Sequence, residues 1–158
     1  MQVKAIIKAS ISIYGKSQKE FPPEIMLPMV SSFKEVNFLK KLIDDGWIGK
    51  PIAANAFMMG HGHENWHPDP EFYYEKGGGP MFDMGPYYLT SLIKIFGNVE
   101  KVISYSQKTF DKRKVENPDV DYSEIKVDID THYFALLKFE SDIVVDFQVS
   151  SQIRGIES

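Results

Sequence analysis

Three of the four histidines lie in one short run, His61-Gly62-His63-Glu64-Asn65-Trp66-His67-Pro68-Asp69-Pro70. Sixteen residues after His67, Asp83 and Tyr87 stand four apart. Imidazole, carboxylate and phenol are the groups that move protons or bind hydroxyls at neutral pH. Two chemistries suit the histidine run. Three imidazoles and a glutamate are potential zinc ligands, but the spacing is H-x-H-x3-H and no helical H-E-x-x-H pattern is present. The other is a pocket for a polyhydroxyl or carboxylate ligand, with His61, His63, Glu64, His67 and Tyr73 as polar groups and Trp66 as an apolar wall. A loop packed by its own aromatics, its histidines exposed, is the plain structural alternative.

The stretch that must position these groups is Glu75-Lys76-Gly77-Gly78-Gly79-Pro80-Met81-Phe82-Asp83-Met84-Gly85-Pro86-Tyr87-Tyr88-Leu89. Consecutive glycines allow positive φ or close backbone approach. Pro86 is tolerated only in a first helical turn, which predicts a helix opening between Asp83 and Gly85. Tyr88, Leu89, Leu92, Ile93, Ile95 and Phe96 follow at helical spacing, and Gly97 supplies the stop. With helix already formed at Asp83, Asp83 and Tyr87 share one face and wall a site. Asp83 is equally suited to cap the helix, and Tyr87 to pack. Lys76 is the nearest cation in sequence.

Length and composition set the frame. The chain has 158 residues, enough for one domain with a core. A net charge of −4 gives no basic footprint for nucleic acid. The absence of cysteine excludes disulfides and thiolate chemistry and fits a reducing, cytoplasmic setting. No apolar run approaches the roughly 20 residues of a membrane span. The spacing Gly77-x-Gly79-x-x-Phe82 fails the dinucleotide fingerprint at its last position, and no G-x-S-x-G elbow is present.

Period-two alternation predicts strands at about 3–13, 52–59, 99–108, 131–139 and 143–150, with a short one at 125–128. On the strand from Val99, the residues Val99, Ile103 and Tyr105 are expected to share a face. Phe33, Val36, Phe38, Leu39, Leu42 and Ile43 form a helical stripe ended by Gly46. Residues 110–124, including Asp111-Lys112-Arg113-Lys114, read as a solvated connection. The expected fold is α+β, an open, mostly antiparallel but mixed sheet with helices on one face, in a single domain over 1–158. Both faces of the last two strands carry apolar side chains, which predicts a homo-oligomer through the open sheet face.

The run His61–Tyr74, then Gly77–Pro80, then Asp83-x-Gly85-x-Tyr87 resembles the C-terminal domain of the Gfo/Idh/MocA family of NAD(P)-dependent sugar and polyol dehydrogenases. The likeness is specific over Ala54–Gly97 and extends over 32–158; residues 1–31 match nothing in the family. It implies that Asp83 is catalytic and that Tyr87 stands at the family's histidine position, where the glucose–fructose oxidoreductase branch also carries tyrosine. It implies His61, His63, Glu64, Trp66, His67, Tyr73 and Lys76 as substrate-side residues. It further implies a Rossmann domain for NAD or NADP, and a lysine from that domain, which this chain does not contain. The expectation is therefore a truncated substrate-binding and oligomerisation domain, inactive alone and binding no cofactor by itself. A non-catalytic, partner-binding remnant is the alternative, and a small metal-binding protein the third.

Overall fold

The computed structural model describes residues 33–152. The predicted strand at 3–13 lies outside the described residues. Helix α1 (Phe33–Asp44) belongs to one compact unit that ends at Ile52; the described chain from Ala53 onward forms a second. In α1 the apolar stripe buries Val36, Leu39 and Leu42, while Phe33 and Phe38 stay exposed. Lys40–Asp44 and Lys41–Asp45 pair at helical spacing on its polar side, and Gly46 at φ 76° ends it.

The second unit is built on four strands: β1 (Ala53–Met59), β2 (Val99–Gln107), β5 (His132–Phe139) and β6 (Val144–Ser150), in the order β1-β6-β5-β2. β1 runs parallel to β6; the other two pairings are antiparallel. The sheet is thus open, mostly antiparallel and mixed, as expected. A tight turn at 140–142 joins β5 to β6, with Asp142 at φ 68°, a conformation Asp tolerates.

Ala135, Leu137, Phe139, Val145, Phe147 and Val149 point to one face and are buried there. The helical layer consists of α2 (Gly79–Asp83) and α3 (Gly85–Phe96). Met81 of α2 and Tyr88, Leu89, Leu92 and Phe96 of α3 close this face, with Phe96 edge-on to Phe139 at 5.7 Å. Each fully buried apolar side chain of the sheet face contributes about 1.5–3 kcal/mol, and the half-buried helix residues covering it less, so this interface holds the helices in place. The opposite face leaves Phe57, Ile103, Tyr105, Phe134 and Leu136 exposed.

Three sequence expectations are corrected. Val99 does not share a face with Ile103 and Tyr105: the register shifts between Val99 and Lys101, and Val99 packs into the core. A bulge adds one residue to one strand and so reverses the alternation beyond it. The long helix opens at Gly85, within the expected window of Asp83 to Gly85, but Asp83 neither caps it nor lies in it. Instead α2 begins at Gly79 and ends on Asp83, and α3 starts afresh after Met84, with no side-chain cap. Pro86 lacks the N–H that would continue the ladder, so the chain restarts there. Finally, residues 110–124 are not simply a solvated connection. Lys112–Lys114 form β3, which pairs with β4 (Glu124–Lys126) in a second, two-stranded sheet. Lys112 and Lys114 face solvent, whereas Arg113 and Val115 are buried. Among the described residues no helix is long and apolar enough to cross a membrane.

Candidate functional site

The β3–β4 hairpin packs on a 3-10 turn, Glu71–Tyr74, through Tyr73, Tyr74, Val115, Ile125 and Val127. Between this small core and the histidine run sits a buried polar cluster. Glu64 is 2% exposed and Arg113 4%. Arg113 donates from Nε to Glu64 Oε1 at 2.7 Å, and from Nη2 to both that oxygen and the His61 carbonyl. Tyr74 donates its hydroxyl proton to Glu64 Oε2. A buried carboxylate survives only when paired and hydrogen-bonded, and Glu64 is both. Burial and this bond to Glu64 push the Tyr74 phenol well above its usual range, so it stays a donor.

Gly62 is the point where the chain crosses the cluster. Its φ of 124° suits glycine, and a Cβ there would collide with Glu64 Oε2 and the Tyr74 hydroxyl. The backbone on either side therefore sits directly above a charged, fully paired base. His61 and His63 project from that base. Asn117 fastens the far end of the run by donating from Nδ2 to the His67 carbonyl at 2.8 Å.

Beside the run lies a cavity of about 420 Å³, lined by His61, His63, Trp66, Tyr73 and Asp83, with Met58, Met84, Ser150 and Ser151 closing its floor. β1 and β6 supply the floor where their parallel ends meet, the end of α2 supplies Asp83, and the 3-10 turn supplies Tyr73. His63 is one of the lining residues. Its ring stacks on Tyr73 with centroids 3.9 Å apart, and its Nε2 faces Asp83 Oδ2 across 3.8 Å. Nδ1 of His63 is buried without a hydrogen-bond partner, as is Nδ1 of His61. Burial lowers the His63 pKa from its ordinary value. Asp83 pulls the other way, His67 lowers it further and Glu64 raises it, and the net shift is downward. Burial, followed by the Asp83 charge, raises the Tyr73 phenol far above its usual range.

The sequence-predicted residues therefore divide. His61, His63, Trp66, Tyr73 and Asp83 meet at the cavity. Glu64 does not face it; it is the buried anchor beneath. His67 stands behind the wall, its Nδ1 accepting from the Asp69 amide at 3.0 Å and its ring 5.0 Å from Phe72. Lys76 is exposed in the turn before Gly77 and lines no part of the cavity. Tyr87 is 67% exposed on the first turn of α3 and is likewise outside the lining. The break at Met84 separates it from Asp83's helix. Arg113, Ser150 and Ser151 escaped the sequence reading. Only for Arg113 was there a signal: Arg113 and Val115 alternate with Lys112 and Lys114, as Ile125 and Val127 do with Lys126. Among the described residues no three His, Asp or Glu side chains converge as ligands for a metal.

A downward-shifted histidine couples stability to pH. The unfolded chain takes up the His63 proton near 6.5, before the folded chain does. The unfolded state then binds more protons, so stability is full above about pH 7 and falls as pH drops below 6.5. His132, also lowered by burial, acts in the same direction. The urea midpoint is expected to fall between pH 7.5 and pH 5.5, and His63→Gln to lessen that fall. An equal fall in the variant would show that His63 is not a source.

Residues 36–157 match the family model for the GFO/IDH/MocA C-terminal domain, and the chain belongs to that family. No curated protein matches it in sequence. Its fold is shared by levoglucosan dehydrogenase in complex with NADH and L-sorbose, at 19% identity and a TM-score of 0.57, over 73% of this chain and 31% of that one. An NAD-binding oxidoreductase from Klebsiella pneumoniae superposes at 21% identity and 0.58, over 75% and 32%. The super-repressor mutant of Gal80p from Saccharomyces cerevisiae superposes at 12% and 0.59, over 75% and 33%. The chain thus spans about a third of the length of these proteins.

The family implies a nicotinamide dinucleotide, and the described residues do not fit one. Its pyrophosphate needs a glycine turn free to approach it at a helix N-terminus. At Gly78 the space a Cβ would take is held by the Phe72 and Tyr73 carbonyls, and at Gly79 by the Ile129 side chain. These glycines are occupied in packing the loop against the chain itself.

Proposed function

We propose that this chain is the substrate-binding and oligomerisation part of an NAD(P)-dependent sugar or polyol dehydrogenase, without catalytic activity on its own. The observation that carries the reading is His63 Nε2 and Asp83 Oδ2 set 3.8 Å apart on the wall of a cavity of sugar size, with Trp66 as an exposed aromatic wall. An acid–base pair beside an apolar face is what orienting a secondary alcohol requires. Any hydride acceptor is held outside the residues described here, in a cytoplasmic setting consistent with the lack of cysteine.

Amide chemical shifts of the isotope-labelled chain test this. Sugars and polyols at millimolar concentration should move residues 60–66 and 83–84, and NADH or NADPH should move nothing. Turnover of a polyol by the isolated chain with either nicotinamide, or shifts confined to other surfaces, would overturn it.

The exposed apolar face of the sheet supports self-association as part of this reading. Ile103 lies opposite Leu136, and Tyr105 opposite Phe134, on the side the helices leave uncovered. A twofold dimer lays this face on its own copy. The same face also favours the second reading, a partner-binding module without catalysis. The cavity shifts above distinguish the two.

A further inference from the structure

We propose that Ile129 is a positioning residue for the site: lodged against Gly79, it fixes where helix α2 begins and so holds Asp83, at the other end of that helix, 3.8 Å from His63 Nε2. The inference concerns how the pair is held and does not depend on which ligand the cavity takes.

α2 cannot orient itself. It has five residues, little more than one turn, and no side-chain cap. A helix so short is not stable by its own propensity, and its direction is set by what it packs on. Met81 ties its middle to the sheet core. Its beginning is tied at Gly79. There φ is 84°, and Ile129 Cδ1 lies in the space that a Cβ would take, with the Asp130 carbonyl 3.6 Å from the same point. Glycine is needed for both reasons. The missing side chain leaves a socket, and Ile129 fills it.

Ile129 itself stands on a braced segment. Val127 donates its amide to the Asp111 carbonyl at 2.9 Å, Asp128 to the Tyr74 carbonyl at 3.0 Å and Thr131 to the Gln107 carbonyl at 3.1 Å. Ser106 Oγ donates to the Asp130 carboxylate at 2.5 Å. The Thr131 carbonyl accepts from the amide of Ser151, on the cavity floor, at 3.0 Å. Residues 127–131 thus hold the 3-10 turn whose Tyr73 backs His63, the floor, and, through Ile129, the helix that carries Asp83. Both members of the pair are placed from one frame. Ile129 is half-buried and belongs to neither apolar core. Shortening it therefore disturbs the position of α2 more than the stability of the fold, because the short helix can settle into the gap. His63 and Asp83 already stand close to contact, so such a displacement lengthens the distance between them.

The test is the titration of His63, followed from its ring proton and carbon signals in the intact chain. Burial lowers the His63 pKa and Asp83 raises it. A carboxylate that stands further off raises it less. Asp83→Asn should therefore lower the midpoint, and Ile129→Ala should lower it in the same direction. The double variant should titrate like Asp83→Asn alone, because Ile129 acts through that carboxylate. Ile129→Val, which removes only Cδ1, should give a smaller fall, and it carries the test if the alanine variant does not fold. A midpoint unmoved or raised in the Ile129 variants would overturn the proposal. So would a fall that adds in full to that of Asp83→Asn, which would assign Ile129 to the burial of His63 instead. A midpoint that Asp83→Asn leaves unmoved would overturn it as well, since the pair would then not be coupled. No ligand enters the measurement, so the sugar or polyol reading stands or falls separately, on the shifts of residues 60–66 and 83–84.

Discussion

Arg113→Met is expected to destabilise the sheet-bearing unit by about 3–5 kcal/mol, a large share of the roughly 5–15 kcal/mol that holds an ordinary domain together. The reason is what the substitution leaves behind. Glu64 stays buried, accepting a hydrogen bond from Tyr74 but deprived of its cation. The His61 carbonyl loses its donor at the same time. Adding Glu64→Gln removes the stranded charge while keeping an acceptor for Tyr74, so the double variant should be more stable than Arg113→Met alone. Urea unfolding followed by tryptophan fluorescence measures both. A loss below about 1 kcal/mol in the single variant, the range of exposed pairs, would mean that the pair is not the anchor its burial implies. The effect should reach the site, because the same guanidinium holds the run that carries His63.

The second large effect concerns association. Ile103 is 73% exposed on the edge strand β2 of the uncovered sheet face. Within one copy a charge there costs little. In a dimer closed over that face, Ile103→Asp puts a carboxylate into the apolar contact of both copies at once. The dimer dissociation constant is expected to rise a hundredfold or more, the scale of about 2–4 kcal/mol at an interface hot spot. Sedimentation equilibrium should show a dimer at tens of micromolar for the unaltered chain and a monomer for the variant, with unchanged circular dichroism. A monomeric unaltered chain would remove the sheet-face dimer from the proposal.

Local order was legible in the sequence where one rule governed a whole segment. The helical stripe from Tyr88 to Phe96 ends at Gly97 because a left-handed residue stops a helix wherever it lies. The alternation of Tyr133, Ala135 and Leu137 with Phe134 and Leu136 survives in β5, since a paired strand has a period of two. The histidine run with the Gly-Gly-Gly-Pro segment was specific enough to point to the family, whose model covers residues 36–157.

What the tertiary structure alone decided are the matters that depend on where separate segments meet. Val99 turned inward because a bulge shifted the pairing with β5, and nothing local marks the position. Arg113 left its charged run for the interior because Glu64, 49 positions earlier in the chain, awaited a cation there. Asp83 became the end of one helix instead of the start of another, which turned its carboxylate toward His63 and left Tyr87 on the next helix, outside the cavity. Sequence spacing supplied the types of group available. Which carboxylate faces which imbidazole-bearing loop was settled by the packing of α2, the 3-10 turn and the β3–β4 hairpin, since a proton can pass only between groups that the fold brings within a few ångströms.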